Sequence, residues 1–479
     1  MPVHPPPIPA TPVPTASRWV AFLVASTFFM ENLDATVITT ALPAMAHSFG
    51  VEPARLSIGI SAYMLALAVG IPASGWLADR FGPRRVFMGA IALFTLASLW
   101  CGMSGSLGTF TAARVLQGVG GAMMVPVGRL VVLRGTRKQD LVRAIATITW
   151  PGLAAPVLGP PIGGFIATHW SWHWIFFLNL PLGLCALAAT WRLIHDGERP
   201  ATRGFDLRGF VLSGLGCSLL MLGLESASQS PLNLLLTALL LAGGLVALGG
   251  AWVHLRHTPH PLVSLGALRV PTFAVTMAGG SLFRIATGSA PFVLPLMFQL
   301  GMGLSAVTAG MLMLWLFAGN LAIKPATTWI LRRWGFRQVL VVNGLLVAAG
   351  FAACTQFTVS TPFPLMAAVL FVSGVNRSIQ FTALNTIAFA DVAPAQMSGA
   401  TTLSSVAQQV NSGMGIAFGA LALRLAENWH DQPAGNATLA DFHWALGLTA
   451  LLALVAIADA LRLPRAAGAH VSGHGIPKI

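Results

Sequence analysis

Gly75-Trp76-Leu77-Ala78-Asp79-Arg80-Phe81-Gly82-Pro83-Arg84-Arg85 is a short charged stretch between two long apolar runs, 55–78 and 86–104. Each run is long enough to cross a hydrocarbon core of about 30 Å, which takes about 20 apolar residues. A tight basic turn between two such runs predicts a hairpin of membrane spans whose loop stays in the cytoplasm, the side that lysine and arginine favour. The pattern returns at Trp329-Ile330-Leu331-Arg332-Arg333-Trp334-Gly335-Phe336-Arg337, with apolar, basic and glycine positions in register. Repeats of this kind build many secondary transporters, as paired halves around a site near the midplane.

The rest of the chain conforms. Of 479 residues, 55% are hydrophobic and 9% charged, with mean hydropathy +0.75; a soluble chain carries roughly 25% charged residues. Long apolar runs predict fourteen spans: 18–42, 55–78, 86–104, 109–133, 142–167, 174–194, 207–227, 232–254, 271–299, 304–331, 338–357, 361–390, 398–425 and 441–463. With spans 2 and 10 in register, the fold class is an all-α integral membrane protein of two six-helix bundles. Spans 1–6 (18–194) form one bundle and spans 9–14 (271–463) the other, with spans 7 and 8 (207–254) inserted between them. Residues 195–206 and 255–270 read as cytoplasmic linkers and 464–479 as a cytoplasmic tail. Residues 1–17 hold seven prolines and no lysine or arginine; they read as a disordered tail, not a secretory signal.

A net charge of +13 could serve a nucleic acid, but such binders cluster their bases on one face. Here the bases come in bursts between apolar runs. Arg80, Arg84, Arg85, Arg134, Arg137, Lys138, Arg143 and most others sit where loops are cytoplasmic if the N-terminus is inside; only Arg55 and Arg424 fall at outside ends. No nucleic-acid partner is expected, and both termini are predicted cytoplasmic. Cys101, Cys185, Cys217 and Cys354 lie in apolar spans without paired spacing and read as buried small hydrophobes. No span carries a two-histidine ligand spacing, so no metal site is expected. The lysines are Lys138, Lys324 and Lys478, none after a glycine, so the phosphate loop of an ATP-driven pump is missing. No nucleophile constellation points to an enzyme.

Ionisable residues at membrane depth cost about 2.5–3.5 kcal/mol each and mark function by default. Glu31 and Asp34 lie one turn apart on one face of span 1. Carboxylates that close disfavour double ionisation, and a shared proton is the expectation; a structural ion pair is the plainer alternative. The deep cations are Arg114, Arg284 and Arg377, with Arg129 and Lys324 nearer the cytoplasm. Arginine keeps its proton, so Arg114 is expected to tune the acids. Three deep arginines against two acids lean towards an anionic solute, such as a carboxylate or a metal–carboxylate complex. Arg284 and Arg377, with Asn376, Gln380 and Asn385, are the expected cavity residues; hydrogen bonding between helices is the alternative for the amides.

These residues also carry a family resemblance. Gly75 to Arg85 resembles the helix 2–3 loop signature of the major facilitator superfamily. Leu33-Asp34-Ala35-Thr36, running on to Ala41-Leu42-Pro43, is similar to the first-helix motif of its fourteen-helix drug:proton antiporter branch. Arg114-Val115-Leu116-Gln117-Gly118-Val119-Gly120-Gly121 resembles the fourth-helix motif, and Gly159-Pro160-Pro161-Ile162-Gly163-Gly164 the fifth-helix antiporter motif. Trp172 to Phe176, with Asn179 and Pro181, resembles the opening of helix 6 in that branch. The resemblance implies a conformational latch at Gly75, Asp79, Arg80, Gly82 and Arg84, and proton coupling through Asp34 and Arg114. It also implies export, through Gly159, Pro160, Gly163 and Gly164. The expectation is a monomeric antiporter in the bacterial inner membrane, in contact with lipid. It would export drugs or other amphipaths on the proton gradient, without a cofactor. Export of an organic anion or metal–carboxylate metabolite is the rival, and a non-transporting sensor or scaffold is the reading from another class.

Overall fold

The computed structural model describes residues 18–51, 56–137, 140–194, 204–228, 233–430, 437–464 and 467–472. The proline-rich tail 1–17, most of the 195–206 linker and the last residues of the chain lie outside these. Among the described residues all regular structure is helical. The first part of the chain forms α1 (Arg18–Phe49), α2 (Ser57–Gly70), α3 (Ser74–Phe81), α4 (Pro83–Gly102), α5 (Leu107–Gly135), α6 (Leu141–His169), α7 (His173–Phe177) and α8 (Asn179–Leu193). Then come α9 (Leu207–Ser228) and α10 (Leu234–His257). The last part forms α11 (Pro271–Met277), α12 (Gly279–Leu296), α13 (Ala306–Ala322), α14 (Lys324–Cys354), α15 (Phe363–Ala390), α16 (Met397–Trp429), α17 (Leu439–Val455), α18 (Ile457–Leu461) and α19 (Ala469–Ser472).

Eleven helical stretches among the described residues are long and apolar enough to cross a membrane. The predicted spans for α6, α13 and α16 are not among them. For α13 the reason is a break: it stops at Ala322, and α14 restarts at Lys324 with a proline in its first turn. That splits the predicted 304–331 run. Span 9 is likewise divided at Ala278, just before Gly279 and Gly280. In α16 the serines, threonines and glutamines dilute an otherwise apolar run. Cys185 is exposed on α8, so the expectation of buried cysteines holds for Cys101, Cys217 and Cys354 alone.

The two repeated stretches adopt the same turn. Gly82 ends α3 at φ 88° and Gly335 bends α14 at φ 72°; a side chain at either would pay for the left-handed region. Beyond each turn an arginine caps a later helix of its own part of the chain. Arg84 Nη2 donates to Trp191 O at 2.7 Å, and Arg337 Nη2 donates to Leu461 O at 2.9 Å. Lysine- or arginine-capped C-terminal carbonyls also suit the helix dipole.

The buried apolar residues divide unevenly. One cluster joins the first half of α1, the second half of α5 and the start of α6 to the helices after Pro271. A separate cluster holds the other ends of α1, α5 and α6 together with α7. The early and late parts of the chain therefore share a core towards the end where α3 meets α16. There Ser398 Oγ donates to Gly75 O at 3.1 Å and Ser74 Oγ lies 3.4 Å from Thr402 Oγ1. A Cβ on Gly75 would come within 2.6 Å of Thr402 Oγ1, so glycine sets how closely these helices approach.

Candidate functional site

The deep polar residues of the first part converge on one carboxylate. Asp34 on α1 and Arg114 on α5 form an ion pair of 2.6 Å with neither side chain exposed. Gln117, one turn along α5, receives Arg114 Nη1 at 2.5 Å and donates to Asp34 Oδ1 at 2.9 Å. Asn179, opening α8, donates to the same oxygen at 2.8 Å. Both amides also donate to Ser98 Oγ on α4, at 2.8 and 3.2 Å. Tyr63 on α2 lies under the guanidinium, 4.2 Å from ring centroid to Cζ. Five helices thus hold one charge pair. Stacked and hydrogen-bonded contacts of this kind are what allow a buried ion pair to persist, since its desolvation is otherwise uncompensated.

Glu31 stands apart from that network. It is buried, its Oε2 has no hydrogen-bond partner, and no bond joins it to Asp34. A Cβ at Gly121 would lie 3.5 Å from its carboxyl and 3.2 Å from the Tyr63 hydroxyl; glycine there leaves the acid room. Of the three residues the sequence pointed to, the structure pairs Asp34 with Arg114 and leaves Glu31 nearby without a bond to either. The sequence named Gln117 and Asn179 only as motif letters and passed over Ser98 and Tyr63, although Tyr63 is the one tyrosine in the chain.

The expected cavity residues do not gather into one site. Arg284 on α12 donates to Asn385 Oδ1 at 2.8 Å and to Thr276 O at 3.3 Å. Asn376 and Gln380 on α15 are tied to Asn343 on α14, through Asn376 O at 2.7 Å and Gln380 Oε1 at 3.0 Å. For Gln380 the side chain bonds between helices; Asn376 takes part only through its backbone carbonyl and lines a pocket beside α14. Arg377 points elsewhere, with Nε and Nη1 buried and without a hydrogen-bond partner and its guanidinium 5.6 Å from the Phe381 ring centroid. Arg129 on α5 crosses to α16, donating to Ser404 Oγ and Gln408 Oε1, each at 3.3 Å.

The residues expected to form a latch sit around the α3–α16 end. Asp79 accepts from Arg134 Nη2 at 2.9 Å, joining α3 to the close of α5. Asp79, Arg80 and Arg134 line a pocket of about 370 Å³ with the first residues of α16. Arg80 stacks near both Trp76 and Phe81. In the fifth-helix motif, Gly159 is the position with a visible role: a Cβ there would fall 2.2 Å from Thr36 Oγ1 on α1. Thr36 Oγ1 in turn reaches Ala155 O at 3.4 Å. Gly163 is buried, Gly164 is half-buried, and Pro160 lies within α6 with its side chain outside the described set.

Many apolar helices around a buried charge pair, with a repeated turn, define the class of multi-pass membrane transporters. The chain matches the Major Facilitator Superfamily over residues 24–420, and it belongs to that family. It is 38% identical over 445 residues to the "Putative multidrug resistance protein MdtD" of Pectobacterium atrosepticum, covering 93% of this chain and 95% of that one. The protein of the same name in Escherichia coli K12 is 38% identical over 451 residues, with the same shares covered. Among solved structures, the human organic anion transporter MFSD10 aligns over 94% of this chain and all of its own, with TM-score 0.66 and 15% identity. The proton:xylose symporter XylE aligns over 91% of this chain and 94% of its own, with TM-score 0.60 and 13% identity. At such identities the likeness is one of fold.

Proposed function

We propose that the chain is a proton-coupled antiporter that exports amphipathic small molecules by alternating access. Fourteen crossings form two six-helix halves, α1–α8 and α11–α18, with α9 and α10 inserted between them. The observation that carries the reading is the unexposed Asp34–Arg114 pair, with a second buried acid, Glu31, one turn away and unbonded. A carboxylate held by an arginine and two amides is a proton site whose partners can change as the halves rock. The MdtD relatives, named as multidrug resistance proteins, favour drugs as cargo. Both termini lie in the cytoplasm of a bacterial inner membrane, the chain works as a monomer, and the proton gradient supplies the energy. In that frame the α3–α16 contacts close the cytoplasmic side, so the conformation described here faces outward.

One observation favours a second cargo. Arg129 and Arg284 are both buried without a carboxylate partner among the described residues, which suits an organic anion. The test is flux in proteoliposomes under an imposed pH gradient, with cationic dyes and small carboxylates compared. Dye movement that follows the gradient and disappears in Asp34→Asn supports the drug antiporter. Carboxylate movement lost in Arg284→Ala supports the second cargo. Flux that ignores pH, with Asp34→Asn at full rate, removes the proton-coupled account.

A further inference from the structure

The repeat can be carried from the turn into the interior, residue by residue. The step from Gly82 to Gly335 also relates Tyr63 to Leu316, Ala90 to Asn343, Ser98 to Phe351 and Cys101 to Cys354. Contacts confirm the register. A Cβ on Gly118 would press on Tyr63 O, and a Cβ on Gly374 would press on Leu316 O. Gly120 packs on Ala90 O, while Asn376 O receives Asn343. The step from Gly118 to Gly374 then relates Arg114 to Leu370, Gln117 to Ser373 and Gly121 to Arg377. On the last helix of each half, the step from Trp191 to Leu461 relates Asn179 to Thr449. Asn179 bonds Asp34, and Thr449 Oγ1 lies 3.4 Å from Ser289 Oγ, so Ser289 stands where Asp34 stands.

The ion-pair network therefore has a counterpart stripped of its charges. Serine replaces Asp34, leucine replaces Arg114 and Tyr63, and phenylalanine replaces Ser98. The smaller or apolar side chains leave a cavity. It is lined by Leu316, Phe351, Cys354, Leu370, Ser373 and Arg377, among others from α12 and α14. Its room for the centre of a water-sized sphere is about 20 Å³, where one such particle needs about 10–15 Å³. A charge has moved as well. In the first half the Gly121 position faces the acid Glu31. In the second half the same position carries Arg377, and the step from Asp34 to Ser289 puts Ala286 where Glu31 stands.

Arg377 is charged at any working pH. Its Nε and Nη1 are buried with no hydrogen-bond partner, as is Ser373 Oγ; the guanidinium lies over the Phe381 ring at 5.6 Å, and no lining residue is a carboxylate. A buried guanidinium without a counter-charge costs several kcal/mol. The lining offers donors, one positive charge, apolar walls and space for a single small particle. We propose that Arg377 and Ser373 bind a halide-sized monovalent anion, chloride in a cell, in the cavity lined by the second-half counterparts of Tyr63, Ser98, Arg114 and Gln117. The anion balances Arg377 as the Asp34 carboxylate balances Arg114, although it sits beside the position of Ser289 and not in it. This goes beyond the transport reading and stands or falls separately from it.

The test is made on the full chain in lipid nanodiscs, with sodium chloride and sodium bromide compared against sodium gluconate at equal ionic strength. Gluconate is too large for the cavity. The apparent melting temperature is expected to rise with chloride or bromide and not with gluconate. Each tenfold increase in halide above its Kd corresponds to about 1.4 kcal/mol. Arg377→Gln is expected to abolish the difference between the salts, and Ser373→Ala to weaken the halide dependence severalfold. Should Arg377→Gln fail to fold, bromide anomalous scattering from crystals of the unaltered protein decides the matter: a peak beside Arg377 supports the site. Equal melting in chloride and gluconate, or a bromide map with no peak there, overturns the proposal.

Discussion

The Arg114 guanidinium lies 4.2 Å from the ring centroid of Tyr63, and the ring is as deeply buried as the charge above it. An aromatic face in a dry interior contributes up to about 2 kcal/mol to a cation. Tyr63→Phe keeps the face and is expected to transport and melt like the parent. Tyr63→Leu, which copies the residue at the repeat position, is expected to lower stability by about 2 kcal/mol and to slow proton-driven flux. Thermal melting and flux on the two variants separate the ring from the hydroxyl.

The Asp34–Arg114 pair lends itself to a double substitution. Asp34→Ser alone leaves a buried guanidinium uncompensated, at a cost of about 3–5 kcal/mol. Combined with Arg114→Leu it recreates the second-half pattern of Ser289 and Leu370, and replacing a whole buried pair is often close to neutral. Melting should fall in the single variant and recover in the double one. Proton-driven flux should be lost in both. Equal melting of single and double variants would show that the pair is not coupled.

Gly159 and Thr36 mark the closest approach of α6 to α1. Gly159→Ala pushes a methyl group into Thr36 Oγ1, and overpacking of this kind costs about 1–3 kcal/mol. Adding Thr36→Ala removes the obstructing hydroxyl but leaves its Cβ 2.8 Å from the added methyl, and should restore only part of the loss. The readout is the melting temperature of the two variants side by side, and no recovery would place the clash elsewhere.

Asp206 supplies a pH-dependent clasp beside the inserted hairpin. Burial alone would raise its carboxyl, but the Gly209 N–H, His254 and the Leu262 N–H together hold it below its ordinary 3.8. His254 Nε2 lies 2.8 Å from Oδ1, and Leu262 N donates to Oδ2 at 3.2 Å. The folded state prefers the charged form. The clasp is therefore fully present above about pH 3.8 and is lost as pH falls through the lower folded value. Melting followed from pH 7 to pH 3 should show the parent losing more stability at the acid end than Asp206→Asn.

Much of this was legible because motif residues carry strong local rules. Gly82 and Gly335 announce turns, and Asp34 and Arg114 are charges that an apolar helix admits only for a reason. What was not legible depends on which way a helix face turns. Arg284, Arg377, Asn376 and Gln380 look alike as polar residues in apolar runs. Yet Asn376 and Gln380 face α14, Arg284 faces Asn385 on α15, and Arg377 faces the cavity. Tyr63 was hidden for the opposite reason: an aromatic in an apolar span gives no signal until its neighbour proves to be a cation. The breaks at Ala278 and Ile323 escaped because proline and glycine occur throughout these spans, and only packing decides which of them interrupts a helix.

Where α3 and α16 approach most closely, the contacts are made by Gly75, Ser74, Ser398 and Thr402, with Trp76 and Leu403 packed in a small apolar cluster beside them. A hydroxyl that leaves its partner for water gives up only about 0.5–1.5 kcal/mol, whereas each fully buried leucine exposed would forfeit about 1.5–3 kcal/mol. In the proposed cycle solvent could take over these polar bonds at little cost, so that the polar part of the fastening would favour release over permanence.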